Sequence, residues 1–246
     1  MIRLIGLVLG LLFSTFSFAS HIMGGNISYK YVGNVGNGFY RYDVTFTIYS
    51  NCDSQANPIF QEGPPESIRY AVYQEIFDAS SSGPISDANK PFLEQEDVFL
   101  SSFEKFTPDI PNGCTSSIDV CIFEAKYKTT VDVPTSFNGN FSNGYHLYFD
   151  VCCRNDIVNN LTDPGLTGNV FYAFIPNPLI ENNSPVFSDS PLPFICAGDT
   201  TPLLNTAFDP DGDLLVFSFE EPVKGYSSYN NPRSEEHTSE LQSPDH

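Results

Sequence analysis

The stretch Asn143-Gly-Tyr-His-Leu-Tyr-Phe-Asp-Val-Cys-Cys-Arg-Asn155 decides the fold class that we predict for this chain. A glycine turn opens it, and the aromatic and β-branched run that follows is typical of a buried strand. The strand ends in two adjacent cysteines, Cys152 and Cys153, whose side chains should point to opposite faces because side chains alternate along a strand. Two disulfides here would fasten one strand end in two directions. The stretch therefore predicts a secreted β-sandwich rather than a catalytic pocket.

Similar runs recur along the chain between turns rich in glycine, asparagine and proline. Residues 26–32 and 39–52 flank such a turn and predict a hairpin, and strands are also predicted over 67–77, 117–133 and 170–176. The acidic run 92–106 has a mixed pattern and is left open. Because helical periodicity never extends beyond a couple of turns, we predict an all-β fold, an antiparallel sandwich of immunoglobulin-like or jelly-roll-like type.

The two ends of the chain differ from its middle. Residues 1–19 combine a basic Arg3, an apolar run too short for the roughly 20 residues of a membrane span, and a small-residue cleavage site, which together predict an export signal. Residues 233–246 resemble the translation of a sequencing-library adapter, and we treat them as an artefactual tail. Between the ends we predict a complete sandwich over 20–180 and a truncated second sandwich over 181–232, followed by further domains.

Charge and composition narrow the class of partner. The net charge is −19 and the few basic residues are scattered, which argues against nucleic acid, since a nucleic-acid binder needs a clustered basic face. Tryptophan is absent, which weighs against a lectin, although surface glycans and proteins stay open as partners.

An even number of cysteines behind an export signal predicts disulfides. The six cysteines are Cys52, Cys114, Cys121, Cys152, Cys153 and Cys196. Cys114 and Cys121 could close a local loop, whereas Cys52 could meet one of the adjacent pair and Cys196 the other. A zinc site is the alternative, but the chain has no Cys-x-x-Cys pair. A redox bond within the adjacent pair is also possible in principle, but vicinal disulfides are strained.

The segment Asp209-Pro-Asp-Gly-Asp213 places three carboxylates at alternate positions. Hard cations such as Ca²⁺ take several oxygen ligands of this kind. An EF-hand is excluded because Leu214 stands where its turn needs glycine, and residues 214–219 predict a strand. A solvated Asp/Gly turn between strands is the alternative.

The motifs Asn183-Ser-Pro-Val-Phe and Ala207-x-Asp-x-Asp-Gly-Asp-x-Leu-x-Phe-Ser resemble the linker and early strand of cadherin-like repeats. In that family, the linker asparagine, acidic residues and the Asp-x-Asp of the next repeat bind Ca²⁺ between domains. The resemblance covers residues 181–219. The Ca²⁺ ligands that it implies are Glu181, Asn183, Asp209 and Asp211, with Asp213 near them.

A second resemblance covers most of residues 20–155. Ser20-His-Ile-Met-Gly-Gly-Asn-Ile-Ser-Tyr, the strand that ends at Cys52, and Cys152-Cys-Arg-Asn are similar to the N-terminal region of large surface proteins of gliding bacteria with type IX secretion. The resemblance implies export, a cell-surface or secreted destination, and downstream immunoglobulin-like or PKD repeats with a sorting domain. It implies no particular activity.

These observations predict a non-enzymatic exported surface protein, adhesin-like or associated with gliding motility, without a transmembrane segment. Its sandwiches would be stiffened by disulfides and Ca²⁺, and its partners would include other domains of the same protein. A glycan- or protein-binding domain acting alone and a secreted hydrolase using paired carboxylates are the alternatives. Nucleophilic catalysis is disfavoured because only His21 and His146 lie between the ends and no Gly-x-Ser-x-Gly motif is present.

Overall fold

The computed structural model describes residues 22–51, 64–75, 92–108, 121–137, 139–151, 168–188, 206–218 and 224–225. All regular elements within these segments are β-strands. They are β1 (Ile22–Gly36), β2 (Phe39–Asn51), β3 (Ser67–Glu75), β4 (Phe92–Phe106), β5 (Ile122–Pro134), β6 (Ser136–Phe137), β7 (Asn140–Phe141), β8 (Gly144–Val151), β9 (Gly168–Pro176), β10 (Val186–Phe187), β11 (Ala207–Phe208) and β12 (Lys224–Gly225). Nowhere in these segments is there a helix that could span a bilayer.

Eight strands form one antiparallel sheet in the order β1-β2-β5-β4-β3-β8-β9-β12. Strand β4 belongs to both halves of this sheet, since residues 92–99 pair with β3 and residues 100–106 pair with β5. The sheet folds over until β1 meets β9, where the Tyr29 hydroxyl donates a hydrogen bond to the Phe174 carbonyl oxygen at 2.8 Å. The halves become the two layers of a β-sandwich, and the predicted fold class is confirmed.

The core lies between the layers and is built from alternate residues of each strand. The ring of Phe46 in β2 contacts the rings of Tyr70 in β3 and Phe149 in β8, at centroid distances of 5.3 and 5.2 Å. All three side chains are at most 2% exposed. Burying each one stabilises the fold by roughly 1.5–3 kcal/mol relative to an exposed side chain. Because the contact joins strands of opposite layers, hydrophobic burial holds the sandwich together.

The strand predicted from the opening stretch is β8, and it is buried as expected. Residues 144–149 are buried on both faces of the strand, with β3 on one side and β9 on the other. Cys152 and Cys153 lie outside the described residues, as do Cys52, Cys114 and Cys196. Cys121, immediately before β5, is disulfide-bonded.

The sequence pattern of β4 is mixed, and the pairing of the strand explains why. A register shift lies between Leu100 and Ser102, where the strand passes from one layer to the other. Val98 is opposite Ile68 before the shift, whereas Phe103 is opposite Ala125 after it. The positions opposite core residues of the neighbouring strand therefore change from even to odd numbers, and Phe103 is 52% exposed, so no single alternation of buried residues runs through the strand.

The described residues 186–188 and 206–218 contain little regular structure. Strands β10 and β11 form a ladder of only two residue pairs, Val186 with Phe208 and Phe187 with Ala207. The strand predicted over 214–219 is wrong for residues 214–218, which adopt no strand conformation. Leu214 and Val216 are 91% and 84% exposed. Apolar residues form a stable strand where a neighbouring strand supplies hydrogen bonds and cover, and none of the described residues does so here.

Candidate functional site

The segment after β9 lies along the free edge of β1. The Ser184 N–H donates to the Tyr29 carbonyl oxygen at 2.9 Å, and the Ser184 hydroxyl oxygen accepts from the Tyr29 N–H at 2.8 Å. Asn183 Oδ1 accepts from the Tyr31 N–H at 2.9 Å. Unpaired backbone groups on an edge strand can pair with other chains. These three bonds give partners to the backbone groups in the middle of the β1 edge.

Asn183 also contacts the acidic turn, so that one residue joins two parts of the chain. Its backbone N–H donates to Asp211 Oδ2 at 2.6 Å and its Nδ2 donates to Asp211 Oδ1 at 2.7 Å. Its amide oxygen is meanwhile held by β1 through Tyr31. We call residues 182–184 with Asp209 and Asp211 the junction. Both ends of the Asn183 amide are used there, which fixes its orientation.

The acidic turn itself is held by its own backbone. Asp209 Oδ1 accepts from the N–H of Asp211 at 2.8 Å and from the N–H of Asp213 at 3.4 Å. The Gly212 N–H donates to the Asp209 carbonyl oxygen at 3.2 Å, and Gly212 has a φ of 86°, which glycine adopts without strain. An aspartate that binds the backbone two residues ahead is the usual chemistry of such turns.

Four of the five residues implied as Ca²⁺ ligands are therefore brought together. Asn183, Asp209 and Asp211 are linked by side-chain hydrogen bonds, and Asp213 joins through its backbone N–H. Glu181 lies near Tyr31, since its charge, after burial, raises the pKa of that phenol.

This arrangement does not fit a Ca²⁺ cage as it stands. Ca²⁺ takes six to eight oxygen ligands. In the junction, both carboxylate oxygens of Asp211 and one of Asp209 accept N–H groups, and the Asn183 amide oxygen faces Tyr31. Across the described segments, no group of three or more His, Cys, Asp or Glu side chains is placed to hold a metal ion. Ca²⁺ binding by these residues stays a prediction.

Tyr29 connects the junction to the sandwich interior. Its hydroxyl accepts from Asn182 Nδ2 at 2.9 Å and donates to Phe174, while its ring meets that of Tyr42 edge-on at 5.7 Å. Burial raises the pKa of Tyr29 to about 12; the Asn182 hydrogen bond lowers it and the charges of Asp209 and Asp211 raise it further. The phenol is therefore protonated at neutral pH and remains a hydrogen-bond donor to β9.

A cleft of about 930 Å³ opens between the junction and the outer face of β1, β2 and β5. Its floor carries six polar or charged side chains, and its wall includes the aliphatic residues Val186 and Pro210. The floor residues are Ser28, Lys30, Asp43, Thr45, Lys128 and Thr130. Its volume is within the range of small-molecule sites.

His146 lies in a separate buried cluster on β8. Its Nδ1 is 2.7 Å from the Tyr172 hydroxyl and its Nε2 is hydrogen-bonded to the Glu75 carboxylate, so that it bridges β9 and β3. The His146 side chain is only 6% exposed. Burial, and then the charge of Glu75, raises the pKa of Tyr172. An imidazole held from both sides and closed to solvent connects three strands.

The paired-carboxylate alternative has one observation on its side. Glu94 is half-buried, and burial raises the pKa of its carboxyl, which accepts from the Tyr70 hydroxyl at 3.1 Å; the charges of Glu96 and Asp132 raise it further. Asp132 has a lowered pKa because Arg41 donates to both of its oxygens at 2.7 Å. Asp132, the second carboxylate of such a pair, is therefore already in an ion pair with Arg41.

Comparison with protein-family models, with curated proteins and with solved structures finds no match to this chain. The junction and the cleft therefore rest on their own geometry. Sequence reasoning singled out Asn183 and the aspartates but missed Asn182 and Ser184. These two residues make three hydrogen bonds to β1, all of them to Tyr29, which was also missed. Ser184 stood within the quoted Asn183-Ser-Pro motif, and only the pairing of β1 showed which groups it meets.

Proposed function

We propose that this chain is the N-terminal part of a non-enzymatic, exported surface protein, adhesin-like or associated with gliding motility. In this proposal the complete sandwich is joined to a following cadherin-like β domain. The observation that carries it is the junction, where Asn183 hydrogen-bonds to β1 and to Asp211 at once. A linker bonded to both of its neighbours restricts their relative motion, whereas a free linker leaves domain motion as the default. Restricted domains suit a protein that projects from a cell surface.

Three features support the exported destination. Residues 1–19 have the pattern of an export signal, and residues 20–155 resemble surface proteins of gliding bacteria. The disulfide at Cys121 adds chemical support, because disulfides persist in oxidising compartments and are rare in the cytosol of mesophiles.

A secreted hydrolase is the second candidate, and Glu94 is the residue that favours it. A carboxyl with a raised pKa is suited to act as a general acid. The Arg41–Asp132 ion pair favours the non-enzymatic function, since the nearby carboxylate is committed to a structural contact between β2 and β5.

The proposed destination can be tested by producing the full chain in a Gram-negative host. We expect protein outside the cytoplasm that begins at Ser20 and moves faster on a non-reducing gel than after reduction. The Leu11→Arg variant, which places a charge in the apolar run, should stay in the cytoplasm with residues 1–19 attached. Wild-type protein retained in the cytoplasm with an intact Met1 and free thiols would contradict the proposal.

A further inference from the structure

We propose that the cleft between the junction and the outer face of β1, β2 and β5 binds an acidic polysaccharide, with sugar carboxylates on Lys30 and Lys128. This site goes beyond the proposed function, because a projecting surface protein needs no ligand in the cleft.

Two of the described lysines without a carboxylate partner line this cleft. Arg41, Arg69 and Lys126 each pair with a carboxylate, at 2.7, 2.6 and 3.1 Å. Lys30 and Lys128 are exposed and have no carboxylate within 4 Å in the part of the chain that the structure describes. In a protein with a net charge of −19, two unpaired cations in one cleft mark a place where an anion is favoured.

The ladder fixes where these cations stand. Lys30 in β1 is opposite Asp43 in β2, and Asp43 is opposite Thr130 in β5. In the next row, Lys128 is the β5 member. Lys30 and Lys128 are thus two strands apart, roughly 10 Å in the direction across the sheet. A ligand that reaches both must carry two separated anionic groups on an extended frame.

The groups between the cations favour a sugar frame. Ser28 and Thr45 are opposite one another, and with Thr130 they supply hydroxyl groups that both donate and accept. Asp43 accepts from ligand hydroxyl groups, which a chain of phosphates or plain carboxylates would not offer. Val186 and Pro210 give the cleft an aliphatic wall against which the C–H face of a sugar ring can pack.

Nucleic acid fits the cleft less well. Binding of single strands relies on stacked aromatic rings and a continuous basic groove. The Tyr29 ring, although its residue lines the cleft, packs inward on Tyr42. Carboxylated sugars need ion pairs and hydroxyl contacts, which this surface offers.

The test is a calorimetric titration of the full chain with an oligogalacturonate at low and at physiological salt. We expect binding that weakens as salt rises. The double variant Lys30→Ala/Lys128→Ala should lose at least tenfold in affinity. Both residues are exposed, so the melting temperature should stay unchanged.

Lys105→Ala is the matched control. Lys105 is also exposed and unpaired in the described segments, but it lies on β4, away from the cleft. The affinity of Lys105→Ala for oligogalacturonate should equal that of the wild type. Methyl-esterified oligogalacturonate, which lacks the carboxylates, should not bind to the wild type. No binding of oligogalacturonate, equal binding by the double variant, or an equal loss in Lys105→Ala would overturn the proposal. Tighter binding of oligoglutamate than of oligogalacturonate would assign the cleft to an acidic peptide and overturn it as well.

Discussion

The sandwich and the segment after it use similar residues and reach very different structures. In the sandwich, Leu147 is fully buried, and its strand has a neighbour on each side. In residues 206–218, Leu214 and Val216 are almost fully exposed and follow a strand of two residues. The difference shows that apolar, β-branched sequence is not enough, because a strand gains stability from neighbours far away in the chain.

The largest effect is expected from a leucine-to-alanine substitution made once in the sandwich and once in residues 206–218. Leu147→Ala should lower the free energy of unfolding by about 2–5 kcal/mol, because it leaves a cavity in a core that cannot fully close. Leu214→Ala should change it by less than ~0.5 kcal/mol, as substitutions at exposed sites usually do. Chemical denaturation measures both. Equal losses would mean that Leu214 is buried in solution and that the two regions do not differ as described.

A glycine substitution gives a second contrast of somewhat smaller size. Gly144 has a φ of 157°, and an added Cβ would meet the Phe174 ring and lie 2.5 Å from the Ile175 carbonyl oxygen. Gly212 has a φ of 86° and open space around it. Gly144→Ala should cost about 3 kcal/mol through overpacking and backbone strain together.

Gly212→Ala is the control for that experiment, since it adds backbone strain without a clash. It should cost about 1 kcal/mol, confined to the acidic turn. Thermal unfolding followed by near-ultraviolet circular dichroism, which reports the core aromatic residues, separates the two outcomes. A melting temperature of Gly144→Ala equal to that of Gly212→Ala would show that β9 can move away from β8.

The smallest expected effect concerns the contact between the two regions. Asp211→Ala removes both acceptors of Asn183 and should speed proteolytic cleavage within residues 182–213 several-fold, with little change in the melting of the core. Asp213→Ala changes the charge equally but removes no described side-chain hydrogen bond, so cleavage should stay at the wild-type rate. Equal rates in the two variants would show that the junction does not restrain the chain.

The same assay tests the Ca²⁺ prediction. If the implied ligands bind the ion, added Ca²⁺ should slow cleavage of the wild type and a chelator should reverse the effect. The Asp211→Ala variant should then not respond. If neither Ca²⁺ nor the chelator changes the cleavage rate of the wild type, hydrogen bonds alone hold the junction together.

Strand identity in the sandwich could be predicted well from local pattern. β8, β2 and β3 were recognised because their runs of aromatic and β-branched residues lie between turn-forming residues. β4 was not, because its inward face changes at the register shift near Leu100, and that shift depends on two different partners. The strand expected after Asp213 failed for the related reason that local pattern cannot supply a partner strand.

The candidate site was predicted only in part. Asn183 and the aspartates were found because their spacing resembles a known linker. In the structure, the aspartate carboxylates accept hydrogen bonds from N–H groups. That arrangement depends on where β1 lies relative to residues 182–184. The cleft could not be predicted, because Lys30 and Lys128 are far apart in sequence. Only the pairing of β1, β2 and β5 brings them to the same face of the sheet.

By itself, the sequence determined the all-β class, the buried strand at residues 145–149 and the turn at Asp209, because each follows from runs of aromatic and β-branched residues or from local backbone chemistry. Only the tertiary structure decided that β4 passes from one layer to the other and that residues 182–184 cover the edge of β1. It also decided that Lys30 and Lys128 line one cleft beside the junction. Each of these depends on contacts between residues distant in the chain, and such contacts are set by strand order and register. Neighbouring residues do not encode them.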